Sequence, residues 1–434
     1  MTAEPYDAVS LDFGTGASFK LFTELTLSDT FLDPCQTMSC TIAADETRFD
    51  LISAVRPGAP FVVKIAGNPQ CTGIIDSVDI SASRGGRIVS LTGRDLMSRV
   101  VDGNADPRIG IPKEMPIDAF LAKAFAHFNF SDVTFFEDYE AGRNAAAGKA
   151  IKTKGNTGKR RKKLKDPAEG LRPKPNEGGW QWISRIIHRL GYHAWVMPDG
   201  SGVAVGTPDY EQEAAYALVS KRSEGLQGIG GANNVKVARA RLDITGLPSH
   251  VYVSGKGSKP GDAKAYIGMA KNNAAPVFKP FYVVDEDSST QAHCDAYARL
   301  ILSRAQRKAQ TYEATVRGAS DPRTGRIYNV DTVCTVDDEN CGVFGDMWVE
   351  ERTFRYSRTT NETTLKLIPC NSLLMDTYVS DAVPPAEEYD AAAKGVGERQ
   401  KKWLPSDRDL VGEVKGGDLF GGWEQLGQQK KGGY

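Results

Sequence analysis

Apolar and polar residues alternate near the start of the chain in a way that predicts three consecutive β-strands. In the middle strand, Ile74, Val78 and Ile80 share one parity, whereas Ser77 and Asp79 occupy the other. A period of two is typical of a half-buried strand, and a Gly-containing link predicts a hairpin turn after it. A short helical turn is expected where the chain leaves the sheet. The three predicted strands span residues 61–65, 74–81 and 88–91.

The same layout recurs near residue 350. A strand, a Gly-containing link, a long alternating strand, a polar turn at residues 361–362 and a short apolar strand follow in that order. Successive antiparallel strands of this kind are typical of a small barrel. The recurrence predicts two barrels of one duplicated design; the alternative is a chance resemblance between two meanders. The second set of strands is predicted at residues 328–336, 346–356 and 364–368.

Between the two meanders the apolar residues change to helical spacing. An amphipathic helix is predicted after Pro116, followed by a short strand at residues 133–136. A second helix is predicted to carry Trp180, Ile183, Ile187 and Leu190 on one face, with a hairpin at residues 192–205 after it. A longer helix is predicted over residues 288–308, because its first four residues match a capping box.

These patterns predict an α+β fold, with two duplicated antiparallel β-barrel domains and smaller α/β domains between them. The expected division is a first barrel at 1–105, a helical connection at 106–140, a basic mobile insert at 141–178, a helix–hairpin domain at 179–235, a second barrel with an inserted long helix at 236–375, and an extended C-terminal arm at 376–434.

The basic insert has almost no large apolar residue. Between Lys149 and Lys174 it carries eleven Lys or Arg against Asp166 and Glu169. Such a segment buries too little apolar area to offset its ordering entropy, so we expect it to be mobile. Its densest cluster could contact nucleic acid or a partner, although a charge run is more commonly just solvated. That cluster comprises Lys159, Arg160, Arg161, Lys162 and Lys163.

The C-terminal arm is rich in Gly, Pro, Lys and Glu and has only isolated apolar residues. We expect it to dock on a partner through a few aromatic and aliphatic anchors, and a merely disordered tail is the alternative. The candidate anchors are Trp403, Leu419, Phe420 and Trp423.

Composition narrows the class of protein. The 434-residue chain has a formal net charge of −1, and its seven cysteines include no CxxC pair. Free thiols formed in a reducing cytoplasm are therefore expected. No stretch has the roughly 18 consecutive apolar residues of a membrane helix, and the first residues do not resemble a signal peptide.

The search for catalytic chemistry gives no candidate. There is no G-x-S-x-G motif, and His188, His193 and His250 are expected to be solvated or packed. Glu350 and Glu351 are adjacent carboxylates, but neighbouring residues on a strand are expected to point to opposite faces. No catalytic, metal or cofactor-binding residue is predicted, and the chain is not expected to be an enzyme.

Two motifs carry a resemblance to a known family. Residues 93–102 read GRDLMSRVVD after the first meander, and residues 180–208 read WQWISRIIHRLGYHAWVMPDGSGVAVGTP. Together with the second meander, they resemble the baseplate hub proteins of contractile-tailed bacteriophages, of the late control D or tail protein P type. This family is related to the first half of type VI secretion spike proteins.

The resemblance implies a structural role in a virion tail baseplate, assembled in the host cytoplasm. Members form homotrimers whose two barrels per chain make a ring of six, which joins a six-fold tail tube to a three-fold spike. The implied partners are the tail spike, the tube or tube-initiator protein and other baseplate proteins. Two other classes stay open from the sequence: a hub-associated peptidoglycan hydrolase, and a protein that contacts nucleic acid through its basic insert.

Overall fold

The computed structural model describes most of the chain up to residue 370. The described residues are 9–14, 18–20, 22–44, 55–84, 86–111, 115–135, 163–164, 172–187, 192–206, 208, 210, 212–222, 233–255, 266–273, 275–285 and 291–370.

Strands are the predominant secondary structure of the described residues. They are β1 (Val9–Phe13), β2 (Ser18–Phe19), β3 (Glu24–Thr30), β4 (Thr37–Ala44), β5 (Pro60–Ile65), β6 (Asn68–Ser83), β7 (Gly86–Asp95), β8 (Met115–Pro116), β9 (Val133–Phe135), β10 (Lys163–Leu164), β11 (His193–Val196), β12 (Val203–Gly206), β13 (Tyr216–Ser220), β14 (Val235–Leu242), β15 (His250–Gly255), β16 (Ile267–Lys271), β17 (Pro280–Asp285), β18 (Gln310–Arg317), β19 (Val333–Asp338), β20 (Val343–Ser357) and β21 (Asn361–Pro369).

The described helices fall where apolar residues have helical spacing. They are α1 (Ser98–Asp102), α2 (Ile117–His127), α3 (Gly179–Ile187) and α4 (Gln291–Ala309). Few helices and many strands give the α+β class predicted from the sequence. Both the short helical turn after the first meander and the amphipathic helix after Pro116 are confirmed.

Thirteen strands form one continuous sheet. Its order is β14-β18-β21-β20-β3-β4-β7-β6-β5-β1-β2, with β19 paired to β20 and β13 paired to β19. The two predicted meanders, β5-β6-β7 and β19-β20-β21, are both present and antiparallel. They belong to the same open sheet, because β20 of the second meander pairs with β3 from the first half of the chain.

The two halves of this sheet repeat one order of strand pairing. In the first half the order is β5-β6-β7-β4-β3, and in the second it is β19-β20-β21-β18-β14. The long strand has a bulge near its middle in both halves, at Asp76 in β6 and at Glu350 in β20. The described strands are not closed into barrels, so barrel closure stays a prediction.

Some predicted strand boundaries are wrong. The strand expected from Tyr328 begins at Val333, and the turn expected at residues 361–362 lies before them, since Asn361 already pairs with Tyr356. The Ser357 hydroxyl accepts a hydrogen bond from the Thr360 amide at 2.9 Å, which closes the turn earlier than expected.

A smaller α/β layer packs beside the sheet. Helices α2 and α3 share one apolar core with the strands β9, β11 and β12, and the Phe120 and Trp182 rings meet edge to edge at 5.5 Å. The hairpin predicted at residues 192–205 is confirmed. On α3, the predicted burial of Ile183 and Ile187 is confirmed, whereas Trp180 is only partly buried and Trp182 is fully buried in its stead. Leu190 lies outside the described residues.

The long helix α4 covers one face of a second small sheet, β16-β15-β17. This inserted unit lies in the chain between β14 and β18, which are adjacent strands of the main sheet. The helix is confirmed and begins at Gln291, the last residue of the predicted capping box, whereas residues 288–290 of that box fall outside the described residues. Strand β13, assigned from the sequence to the helix–hairpin domain, pairs instead with β19 in the main sheet.

Candidate assembly site

Residues 93–102 of the recognised motif form the point where β7 leaves the sheet. Gly93 faces Ile75 across the β6–β7 pair, and its Cα is covered by the buried Phe61 ring. A Cβ at Gly93 would lie 2.6 Å from Phe61 Cε1 and 2.8 Å from the carbonyl oxygen of Ile74. The glycine is therefore needed because the ring packs directly on the strand backbone.

Arg94 joins the bulge of β6 to the end of α1. Its guanidinium donates to both oxygens of Asp76, at 2.7 and 3.1 Å, and to both oxygens of Asp102, at 2.9 and 2.6 Å. The hydrogen bond from Arg94 lowers the pKa of Asp102, and the two carboxylates raise the pKa of the guanidinium. Two bidentate contacts from one planar group fix the angle between strand and helix.

Asp95 completes the motif from the buried side of the strand. It accepts hydrogen bonds from the backbone amides of Gln36 and Met97, both at 3.0 Å. One carboxylate thus holds the loop before β4 and the residue that precedes α1. The motif therefore has a structural role, because its polar groups bind one another and the backbone and so fix the corner between β7 and α1.

A buried polar cluster lies where the two halves of the sheet meet. Arg352 of β20 lies opposite Asp29 of β3, with 3.8 Å between Nη2 and Oδ2 and both side chains 3% exposed. Nη1 of Arg352 donates to the side-chain oxygens of Asn329 at 2.6 Å and Gln70 at 3.2 Å. Because Gln70 lies in β6 and Asn329 precedes β19, this one guanidinium ties both halves together.

Sequence reasoning did not single out this cluster. A signal for it exists: Asp29 continues the buried parity of Leu25 and Leu27, and Arg352 shares the buried parity of Phe354. A charged residue at a position where the alternation predicts an apolar one is a candidate for a buried pair.

Metal-ligating side chains are dispersed over the described part of the chain. It has no group of three or more His, Cys, Asp or Glu residues that could hold a metal ion. Burial raises the pKa of the thiols of Cys40, Cys71 and Cys334, so these cysteines stay protonated and unreactive.

The expected geometry of the paired carboxylates is wrong. Glu350 occupies the bulge of β20, where the simple alternation of faces breaks down. Its carboxylate and that of Glu351 consequently reach the same ammonium group, Lys366 Nζ, at 3.0 and 3.7 Å. The cluster is a cross-strand ion pair.

The sequence-predicted contact residues lie mostly outside the described structure. This applies to Lys159, Arg160, Arg161 and Lys162 of the basic cluster, and to the arm residues Trp403, Leu419, Phe420 and Trp423. Lys163 is described only in its backbone, which pairs with Pro116 in the two-stranded sheet β8–β10.

The end of the basic segment belongs to the folded body. Glu177 accepts from Arg185 of α3 at 2.9 Å, and Pro173 is buried. Glu177 therefore ties the end of this segment to α3, whereas the mobility expected for the rest of the insert stays a prediction. None of the described helices is long and apolar enough to cross a membrane.

Solved structures of two phage tail proteins have a similar fold. The structure is similar to a tail protein from Neisseria meningitidis MC58, with a TM-score of 0.66 and 22% identity over 85% of this chain and 98% of that one. It is also similar to the 43 kDa tail protein of prophage MuSo2 from Shewanella oneidensis, with a TM-score of 0.67 and 16% identity over 84% and 99% of the two chains. At these identities the likeness establishes the fold.

The first half of the sheet gives the more specific assignment. Residues 8–95 match the family model described as Mu phage baseplate assembly protein GpP-like, N-terminal. No curated protein matches the sequence. The resemblance to baseplate proteins, stated above from two motifs, is confirmed, and the family match supports a structural role in the tail baseplate of a phage virion.

Proposed function

We propose that this protein is a trimeric symmetry adaptor in a phage tail baseplate. Each chain supplies two β units of similar strand order, so three copies present six such units around a three-fold axis. A ring of this kind can contact a six-fold tail tube on one side and a three-fold spike on the other. The role is structural and requires no cofactor.

The observation that supports this proposal is the repeated strand order. The sheet orders β5-β6-β7-β4-β3 and β19-β20-β21-β18-β14 match strand by strand. The matching strands also come in the same order along the chain, as β3, β4, β5, β6, β7 in the first half and β14, β18, β19, β20, β21 in the second. A protein that must match six-fold to three-fold symmetry needs two similar units in each chain. The junction at β3 and β20 provides the contact between the two units of one chain.

Further partners extend the proposal. The ring is proposed to assemble in the host cytoplasm with the spike, with the tube or tube-initiator protein, and with other baseplate proteins. The C-terminal arm is proposed to contact one of these proteins through its aromatic residues.

The test is the native mass of the purified full-length chain, alone and with its spike and tube proteins. We expect a species of three times the 47.1 kDa chain mass, and a ring with six similar lobes in electron micrographs. A chain that stays monomeric when spike and tube proteins are both present would overturn the proposal.

A further inference from the structure

Equivalent strands in the two halves of the sheet differ sharply in exposure. In β3, every second residue from Leu25 to Asp29 is buried, whereas its counterpart β14 is exposed or half-buried from Lys236 to Leu242. The second half of β6 is likewise exposed from residue 76 to residue 83 apart from the half-buried Val78, whereas the equivalent part of β20 is mostly buried or half-buried.

The difference in exposure arises because β3 and β20 pair with each other, whereas their counterparts β14 and β6 do not. β3 pairs with residues 351–357 of β20, so each covers an edge of the other. Among the described strands, β14 pairs only with β18, and β6 beyond Ile75 pairs only with β7. The exposed segments of β14 and β6 are thus the counterparts of two strands that pair with each other. Long unpaired edges with apolar side chains are normally covered in a native assembly.

The bulges align the two halves residue by residue. Gly93 faces Ile75 just before the bulge in β6, as Leu367 faces Val349 just before the bulge in β20. The correspondence continues into the next strands, because Met38 faces Gly93 and Tyr312 faces Leu367.

The last strand of each half follows the same alignment. Leu25 of β3 faces Cys40 of β4, and Ala238 of β14 faces Ala314 of β18. Since the preceding strands already correspond, Ala238 occupies the place of Leu25. The observed pairing of β3 with β20 therefore gives a definite register for β14 on β6.

We propose that β14 of one copy pairs antiparallel with residues 77–83 of β6 in a second copy of this chain. Transfer of the register places Asp79 opposite Arg241, because Thr353 lies opposite Ser28 in the contact within one chain. Ile80 then lies opposite Ala240, and Ser81 opposite Arg239.

Apart from Val237, which falls opposite Ser83 on the polar face, this register separates polar from apolar side chains. One face of the new pair contains only apolar residues, including Ile80, Leu242 and Val78, of which Leu242 is 78% exposed in the single chain. The opposite face brings Arg239 and Arg241 from β14 against Asp79 of β6. Cross-strand pairs of opposite charge and of apolar residues both stabilise a sheet.

The register also agrees with the junction inside the chain. Its apolar face corresponds to the face that carries the buried Leu27 and Phe354, and its polar face to the one where the Ser28 and Thr353 hydroxyls lie 3.2 Å apart. Each copy offers one β14 and one β6 edge, so the contact is heterologous, and such a contact forms a ring when its rotation closes. The number of copies in that ring rests on the proposed function.

Cysteine cross-linking tests the register. In the full-length chain, Ser81→Cys combined with Arg239→Cys is expected to give a disulfide-linked ladder up to three chains under mild oxidation. Opposed residues of an antiparallel pair lie about 4.5–5.5 Å apart at Cα, within disulfide range. The control, Ser77→Cys with Arg239→Cys, places the thiols four residues out of register and should give no more than the wild-type background.

Mixing the two single variants, Ser81→Cys and Arg239→Cys, is expected to give a cross-linked dimer only, which shows that the bond joins different copies. A native trimer without the cross-link would overturn this pairing and leave the proposed function standing. A stronger cross-link in the control would overturn the register. A monomer in the presence of spike and tube proteins would overturn both proposals.

Charge reversal gives an independent measurement. Asp79→Arg places like charges opposite each other and is expected to weaken self-association at least tenfold. The matched control is Glu213→Arg, which makes the same charge change at an exposed loop residue away from both edges and should leave association unchanged. Equal association of the two variants would overturn the pairing.

Discussion

Arg352 and Asp29 form a charged pair that is buried at the junction of the two β units of one chain. The guanidinium and carboxylate are 3.8 Å apart, and each side chain is 3% exposed. At the corresponding positions of the other edge pair, β14 and β6 carry Leu242 and Val78. The same position in the fold therefore holds an ion pair within the chain and apolar residues on the exposed edges.

We expect that removing only one member of this ion pair destabilises the protein strongly. Asp29→Leu should destabilise the protein by about 3–5 kcal/mol, because it leaves the Arg352 charge buried without its carboxylate. The double variant Asp29→Leu/Arg352→Val should lose at least about 1 kcal/mol less than the sum of the single variants. Urea unfolding measures these free energies, and strict additivity would contradict the coupling. Lys64→Ala, which breaks a pair with Asp12 whose side chains are 36% and 25% exposed, should cost at most about 1 kcal/mol because solvent screens it far more than the buried pair.

Arg94 is expected to stabilise the fold through the bidentate geometry of its guanidinium. Arg94→Lys keeps the charge but cannot bind Asp76 and Asp102 bidentately, so it should lower the unfolding free energy by about 1–3 kcal/mol. The control is Arg108→Lys. Arg108 also makes a bidentate contact, with Asp106, but its side chain is 88% exposed, and no measurable change in the unfolding free energy is expected. Equal losses of unfolding free energy in the two variants would show that the bidentate contacts of Arg94 do not stabilise the protein.

Steric fit at Gly93 is expected to be strict. Gly93→Ala should destabilise the protein by about 1–3 kcal/mol, because the new methyl group meets the Phe61 ring and the backbone of Ile74. Gly110→Ala is the matched control, since no heavy atom lies within 4 Å of its added Cβ. Thermal unfolding compares the two, and an unchanged melting temperature for Gly93→Ala would contradict the close packing.

Acidification should weaken the inserted unit through His250. Burial, and then the nearby Lys271 charge, lowers the pKa of this imidazole below its usual value of 6.5. The folded protein therefore prefers the neutral ring. That contribution is complete above about pH 6.5 and declines as the pH falls toward the folded-state pKa.

The variant His250→Asn removes the titrating group at this site. Between pH 7 and pH 5, the wild-type melting temperature should fall more than that of the variant. Parallel curves for the two proteins would exclude a contribution from His250.

The C-terminal arm remains a prediction from composition, because residues 371–434 lie outside the described structure. Deletion after Ser380 should leave the sheet folded and the chain trimeric but impair baseplate assembly. Circular dichroism, native mass and an infectivity assay measure these three properties. Normal infectivity of the truncated protein would identify a dispensable tail, and failure to fold would place the arm in the core.

Local patterns predicted individual elements better than they predicted how these elements join. The buried face of α2 follows directly from Ile117, Phe120 and Leu121, whereas the merging of the two meanders through β3 and β20 involves residues more than 300 positions apart. No local periodicity records such a pairing. The bulge at Glu350 was missed for a related reason, because an extra residue in one strand is defined only by its partner strand.

The candidate site was the least predictable part. The G-R-D motif was recognised from the sequence, but the roles of Arg94 and Asp95 depend on Asp76, which lies in β6, and on Gln36, which lies in the loop before β4. Arg352 was missed because a single charged residue on a strand is ordinarily read as solvent-exposed. Its partners became visible only when β3, β6 and the loop before β19 were brought together.

The inserted unit takes the place of a turn between two neighbouring strands. Residues 31–36 connect β3 to β4, whereas residues 243–309 connect the equivalent β14 and β18. Closing the longer loop as an unfolded chain would cost about 2 kcal/mol more in entropy. Once folded, the unit presents the two ends already together, with the Asp243 amide donating to the Ala309 carbonyl at 2.7 Å. Folding of the inserted unit thus lowers the entropic cost of pairing β14 with β18, and with it the cost of presenting β14 to a neighbouring copy.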